Sequence, residues 1–122
     1  MAVSRVHQRE IVEVNFYFPG EGNKPHPALV VSTDELHDAE DGMFYALLIS
    51  SKNLHPEYTI EIKKEDLQGK ELDKQSYFVT HFLSYFTLAD VTMSKNTMVN
   101  VKKFDDVVQK CIDSIFGPPL SS

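Results

Sequence analysis

The chain has 122 residues, a length that fits one domain with a single hydrophobic core. Hydrophobic residues make up 42% of the chain and charged residues 25%, which excludes an intrinsically disordered protein. Asp plus Glu number 18 and Lys plus Arg 12, so the net charge is −6, and nucleic-acid binding would need a local basic patch. The one cysteine, Cys111, excludes an intrachain disulfide framework and a zinc site of several cysteines.

Neither a membrane span nor an export signal is predicted. The longest apolar run, residues 43–49, is far shorter than the ~20 residues that a membrane helix needs. Residues 1–10 are polar and lack the apolar stretch of a signal peptide. We therefore expect a cytoplasmic protein.

The first part of the chain predicts two strands. Residues 1–9 are polar and are expected to be flexible. Hydrophobic residues then alternate with polar ones over 11–18, which is typical of a half-buried strand. The Pro- and Gly-rich residues 19–25 predict a long loop, a feature that is often functional. The continuous apolar run at 27–32 predicts a strand buried on both faces.

The middle of the chain predicts two further strands. Residues 33–42 are polar and acidic and form either a loop or a short helical turn. The run at 43–50 predicts another buried strand, and the alternation at 58–62 a fourth one. Residues 63–69 are compatible with one helical turn that ends at Gly69.

The last third contains β-rich segments and then one helix. Residues 76–80 are strand-like, 82–91 continue in the same style, and 98–101 predict a short last strand. Hydrophobic residues then recur at steps of three and four, which predicts an amphipathic helix over 103–116 that stops at Gly117.

These elements predict a mainly β fold with a C-terminal α-helix. The strands follow one another too closely for helical crossovers, which favours a small antiparallel barrel. We expect one domain over 10–117, followed by a tail at 118–122.

The order of these segments resembles a known family. The matching pieces are residues 10–16, 25–32, 47–51, 58–62 and 76–79, followed by the final helix. In this order they resemble the MazF/PemK toxins of type II toxin–antitoxin systems, which are small endoribonucleases. The resemblance covers roughly residues 9–116, and its sharpest piece is the His-Pro-Ala-Leu-Val-Val-Ser run at 26–32.

The resemblance implies an SH3-like barrel of the MazF/CcdB type that forms a homodimer. It also implies a growth inhibitor that cleaves single-stranded RNA without a metal or other cofactor and is held by an antitoxin protein. In that reaction the 2′-hydroxyl of the RNA attacks the adjacent phosphate and leaves a 2′,3′-cyclic phosphate. The site must then supply a base, an acid and hydrogen-bond donors for the phosphate.

Two positions carry this expectation. The family usually has Arg before the proline of the second strand and Thr or Ser at the end of the third, where this chain has His26 and Ser50. Ser50 keeps a hydroxyl donor, whereas His26 replaces a permanent, bidentate cation with a group charged only part of the time near neutral pH. A histidine is, however, a competent general acid or base. The predicted catalytic residues are therefore His26 and Ser50.

Further residues are candidates for RNA contact. Lys24 and Lys52 lie in predicted loops, where lysines bind phosphates or are simply solvated. Tyr17 is expected on the strand face opposite the core and could stack on an unpaired base, and His81 could line the site.

Two aspects of this prediction stay open. The residues alone also allow ordinary structural roles for His26 and Ser50, at a loop–strand junction and at a strand end. The aromatic residues Phe82, Tyr85 and Phe86 could form a dimer or partner interface. The alternative function is a catalytically inactive SH3-like module that keeps the family fold and binds a protein partner.

Overall fold

The computed structural model describes residues 3–53 and 55–118. Within them the chain forms seven strands and two α-helices. The strands are β1 (Glu10–Phe18), β2 (Gly22–Val30), β3 (Phe44–Ser50), β4 (Thr59–Ile62), β5 (Leu67–Gly69), β6 (Ser76–Phe86) and β7 (Val91–Val99). The helices are α1 (Asp34–Ala39) and α2 (Val101–Phe116), and 3₁₀ turns occupy Pro56–Tyr58, Lys64–Asp66 and Leu88–Asp90.

The strands form one antiparallel sheet in the order β4-β6-β3-β2-β1-β7-β5. Register shifts interrupt the β1–β7 and β3–β6 pairs. Such bulges bend a strand and increase its twist, which helps a single sheet to curl around its own core. The predicted mainly β architecture with a C-terminal helix is confirmed. No helix in the described ranges has the length and apolar character needed to cross a membrane.

The connection between β1 and β2 is much shorter than predicted. Phe18 pairs with Gly22, so the turn consists of residues 19–21, and β2 includes Pro25 and Pro27. Gly20 and Gly22 have φ values of 83° and 80°, which suit a tight turn. The prolines are tolerated because, in the described residues, β3 pairs with β2 only over Ala28–Val30. The predicted long loop at 19–25 is therefore wrong.

Buried side chains form two clusters, one on each face of the sheet. One cluster gathers around Phe16, Phe44 and Phe86, and the other gathers Phe78 with the buried side of α2. Strand β3 contributes alternate residues to both clusters, as expected for a strand that is buried on both faces.

Helix α2 begins two residues earlier than predicted. The Asn100 side chain accepts a hydrogen bond of 2.8 Å from the Lys103 backbone N–H, which caps a helix that starts at Val101. At the other end, Gly117 has a φ of 76° and stops the helix. The tail predicted at 118–122 lies outside the described residues, except for Pro118.

Part of the segment expected to be flexible, residues 1–9, packs on the sheet. Val6 is 1% exposed, and Arg9 donates from its backbone N–H to Val30 O and from Nη1 to Val99 O. These contacts tie the segment to the ends of β2 and β7.

A buried histidine joins this segment to α1 and β3. His37 is 3% exposed, with Nε2 2.7 Å from Ser32 Oγ and Nδ1 3.2 Å from Val6 O. A carbonyl only accepts, so Nδ1 carries a proton, and in a neutral ring the Ser32 hydroxyl donates to Nε2. Ser32 Oγ in turn accepts the Tyr45 N–H at 2.8 Å. Each polar atom of the His37 ring therefore has one partner.

Candidate functional site

Strands β2 and β3 bring the two predicted catalytic positions to the same end of the sheet. Their ladder pairs Ala28 with Leu48 and Val30 with Ala46. The same offset, extended two residues past the ladder, assigns His26 and Ser50 to opposing positions. Because opposing residues of an antiparallel pair share a face, this register directs both residues to the same side of the sheet, beyond the point where the ladder ends.

A surface cavity of about 230 Å³ opens at this point. Its wall includes His26 and Pro27 from β2, together with Ile49 from β3 and Ser51, the residue after β3. The remaining wall comes from the β5–β6 connection, from Ser76 at the start of β6 and from β7. The cavity is therefore assembled from segments that lie far apart in the sequence.

The His26 ring is held by aromatic neighbours. Its centroid lies 6.3 Å from that of Phe16, with the ring planes at 88°, and 5.3 Å from that of Phe18. The edge-to-face contact with Phe16 and the tilted contact with Phe18 restrict this half-buried ring without using its nitrogen atoms. His26 thus keeps hydrogen-bonding capacity for a ligand or for proton transfer.

Ser50 and Ser51 are both candidates for the hydroxyl donor. Ser50 is half-buried, and its Oγ accepts the Lys52 backbone N–H at 3.1 Å. This bond uses an oxygen lone pair and leaves the Ser50 O–H free to donate. Ser51 is exposed and belongs to the cavity wall. The sequence argument considered only Ser50, because it relied on the strand end.

Glu21 forms an ion pair with Lys24 and lies within electrostatic range of Lys52. Lys24 Nζ lies 2.8 Å from Glu21 Oε1, and this hydrogen-bonded pair lowers the pKa of Glu21. The charge of Lys52 lowers the same pKa further. Glu21 therefore offsets part of the positive charge that these two lysines would offer to RNA.

The other two predicted contact residues lie elsewhere. Tyr17 is 65% exposed and lies opposite Asn23 in the β1–β2 hairpin, on the face turned away from Phe16 as predicted. His81 belongs to a separate aromatic cluster, with its ring centroid 4.8 Å from Tyr58 and 5.7 Å from His55. The structure therefore groups neither residue with His26.

Charged residues that sequence reasoning missed complete the cavity wall. They are Asp73 and Lys74 from the β5–β6 connection and Lys95 from β7. Lys95 Nζ lies 3.5 Å from Glu13 Oε2, and its side chain is 26% exposed. No local pattern marks these residues, since only the long-range pairing of the sheet brings them close to His26.

Cys111 and the acidic residues do not build a second reactive centre. Burial raises the pKa of the Cys111 thiol, which fits the predicted core position on α2. Over residues 3–53 and 55–118, no group of three His, Cys, Asp or Glu side chains has an arrangement that could hold a metal ion.

Known structures share this fold. The crystal structure of MazF (Form-I) from Deinococcus radiodurans matches with a TM-score of 0.71 and 13% identity, covering 90% of this chain and 96% of that one. The MazE–MazF complex (Form-III) from the same organism matches with a TM-score of 0.69 and 15% identity, covering 89% and 94%. A mycobacterial endoribonuclease in complex with its cognate antitoxin matches with a TM-score of 0.67 and 10% identity, covering 95% and 99%.

These similarities confirm the predicted fold of the MazF type. Among curated protein sequences, none matches this chain. The model of one protein family, the PemK-like, MazF-like toxins of type II toxin–antitoxin systems, matches residues 7–113. This match spans most of the chain and includes every residue of the cavity wall. The chain therefore belongs to the PemK-like, MazF-like toxin family of type II toxin–antitoxin systems.

Proposed function

We propose that this toxin is an endoribonuclease that cleaves single-stranded RNA without a metal ion and leaves a 2′,3′-cyclic phosphate. The observation that carries the proposal is the cavity that His26 shares with Ser51, the residue after β3, with two lysines in its wall. An acid–base group, a hydroxyl donor and positive charge are the three components that this phosphoryl transfer needs. Messenger RNA as substrate would place the activity in the cytoplasm.

His26 has the role of moving protons. In its neutral form it accepts the proton of the 2′-hydroxyl while the 2′-oxygen forms a bond to phosphorus. The bond from phosphorus to the 5′-oxygen breaks, and this oxygen takes a proton from solvent or from the protonated ring. The Ser50 hydroxyl donates to a non-bridging phosphate oxygen, where charge builds up in the transition state. Ser51 is the competing donor because it lines the cavity together with His26, whereas Ser50 is not part of the cavity wall.

The test is cleavage of a long single-stranded RNA in the presence of EDTA. We expect His26→Ala to slow cleavage by roughly 100- to 10,000-fold, the usual contribution of a general acid or base. His7→Ala is the matched control, because His7 is exposed and bonded to Asp34. Equal rates for the parent and His26→Ala would refute the assignment of His26.

A pair of serine variants identifies the hydroxyl. Removing one donor to a developing oxyanion costs about 100- to 1000-fold in rate. We expect this loss for Ser50→Ala and a rate near that of the parent for Ser51→Ala. The reverse pattern would transfer the role to Ser51, and no loss in either variant would exclude a serine donor.

We also propose that the chain forms a homodimer through a surface on β3, β6 and α2. The Tyr45 and Tyr85 rings lie 6.3 Å apart and are 38% and 66% exposed. On α2, Ile112, Ile115 and Phe116 are 44%, 39% and 74% exposed. Exposed apolar surface of this kind is typical of an interface. Of the aromatic residues considered from sequence, Tyr85 is exposed, whereas Phe86 is buried and Phe82 packs against the core.

An antitoxin is the second proposed partner. The support is family membership, together with the MazE–MazF and endoribonuclease–antitoxin complexes among the structures of the same fold. Co-expression with a candidate antitoxin encoded beside the toxin gene, followed by co-purification, would test it. A toxin that purifies alone from such cells, at full yield, would contradict it.

One observation favours an alternative, an inactive binding module. His26 stands where the family usually has arginine, and it cannot supply a permanent bidentate cation. If the parent fails to cleave RNA at high enzyme concentration but still binds an antitoxin, this alternative replaces the nuclease.

A further inference from the structure

The lysines of the cavity wall have a function that the proposed reaction leaves unassigned. Lys74 and Lys95 come from the β5–β6 connection and from β7, and both line the cavity that includes His26. We infer that Lys74 and Lys95 bind the phosphodiester backbone of the RNA and supply the positive charge that His26 lacks. This inference rests on the proposed function, because it concerns the substrate of the same cavity.

The charge of the cavity wall supports this inference, although the protein as a whole is acidic. The chain carries a net charge of −6, yet its cavity wall holds two lysines and one carboxylate, Asp73. Within the described residues, Lys74 takes part in no ion pair, so its charge is not offset by a neighbour. The predicted contact residue Lys24 differs, because its Nζ is hydrogen-bonded to Glu21.

Lys95 is held in place by Glu13, which neutralises its charge only in part. Glu13 Oε2 lies 3.5 Å from Lys95 Nζ, while Glu13 Oε1 accepts a hydrogen bond of 2.6 Å from Thr92 Oγ1. An ammonium group has three N–H donors, so one contact with Glu13 leaves donors for a phosphate oxygen. The half-buried side chain also loses less rotamer freedom when it binds a ligand than a fully exposed lysine would.

A second cavity extends the same surface. It has a volume of about 190 Å³, shares Leu72, Asp73 and Lys95 with the first cavity, and adds Lys70. Its other carboxylate, Glu71, lies 3.4 Å from Lys64 Nζ and is partly neutralised. Successive phosphates of a single strand can therefore follow the β5–β6 connection from one cavity to the next.

The experiment measures binding separately from cleavage. The probe is a labelled single-stranded RNA with 2′-O-methyl groups at every ribose, which removes the attacking hydroxyl. Dissociation constants are measured across a salt series for the parent, Lys74→Gln, Lys95→Gln and the double variant. Lys102→Gln is the matched control, because Lys102 is an exposed lysine in the first turn of α2.

Each lost phosphate contact should lower the slope of log Kd against log salt by about 0.7 for a single strand. The double variant should therefore bind roughly 25-fold more weakly at about 0.1 M salt and converge with the parent near 1 M. Lys102→Gln should bind as the parent does. Asp73→Asn should bind more tightly, because it removes the negative charge of the same wall.

The outcomes separate the two proposals. If the parent binds this RNA and the single and double variants keep its affinity and salt slope, the lysine inference is wrong and the nuclease proposal stands. If the lysine variants lose affinity but the parent does not cleave unmodified RNA, the inference stands and the nuclease proposal fails. If the parent does not bind RNA, the lysine inference is wrong. Thermal melting of each variant checks folding, and Lys74→Gln affects an exposed side chain with no ion pair in the described residues.

Discussion

Replacing the buried His37 with alanine gives the sharpest test of how the fold is held together. The ring accepts a hydrogen bond from Ser32 and donates one to Val6 O, and it packs edge-on against Phe44 at a centroid distance of 6.1 Å. Each hydrogen bond contributes about 1 kcal/mol net. The cavity left by the imidazole adds about 1–2 kcal/mol, by comparison with other large-to-small core changes. The free energy of unfolding should therefore fall by about 3–4 kcal/mol.

Urea denaturation followed by far-UV circular dichroism measures this loss, since the chain has no tryptophan to report by fluorescence. The melting temperature should fall by roughly 10 °C for a domain of this size. His55→Ala is the control, because His55 is exposed, and such changes stay within about 0.5 kcal/mol. A loss below about 1 kcal/mol for His37→Ala would refute the hydrogen-bond network as a main support of this end of the sheet.

Three further predictions follow from single contacts. Hydrogen bonds from His7 and from the Gln8 N–H lower the pKa of Asp34 below its ordinary value of 3.8. The ionised Asp34 carboxylate therefore stabilises the folded protein above that value, and this contribution is lost as the pH falls through the lowered pKa. In acid titrations of stability, Asp34→Asn should lack this component, and identical acid profiles would contradict it. Cys111 is 8% exposed and should react with a thiol reagent many-fold faster in urea than in the native protein; equal rates would refute its burial. Gly69 has a φ of 129°, and an added Cβ would lie 2.5 Å from Asn96 O. Gly69→Ala should therefore strain the β5–β7 pair and lower the melting temperature. An unchanged melting temperature would contradict this strain.

Hydrophobic periodicity predicted the buried strands because burial decides their composition. The run at 43–50 became β3, and the stripe around Phe104 became α2. Periodicity failed at residues 22–26, where polar residues and prolines extend a hairpin whose strength comes from pairing with β1. Backbone pairing with a distant partner has little effect on local composition. For the same reason the predicted last strand, at 98–101, covers only the end of β7 (Val91–Val99).

The candidate site was predictable only in part. His26 and Ser50 follow from the order of segments shared with the family, because that order fixes which strand ends meet. Lys74 and Lys95 could not be found in this way, since a connection between β5 and β6 and a position on β7 converge only in three dimensions. Conversely, the sequence predicts that His81 lines the site, yet the structure places it among the rings of Tyr58 and His55.

The most direct test of the central claim is the chemistry of the RNA ends. The purified protein is incubated with a single-stranded RNA of defined sequence in EDTA, and the masses of the fragments are measured by mass spectrometry. Our account predicts a 2′,3′-cyclic phosphate on the upstream fragment and a 5′-hydroxyl on the downstream one, with both products lost in His26→Ala. Fragments with 5′-phosphate ends, equal products from His26→Ala, or no fragments from the parent would contradict it.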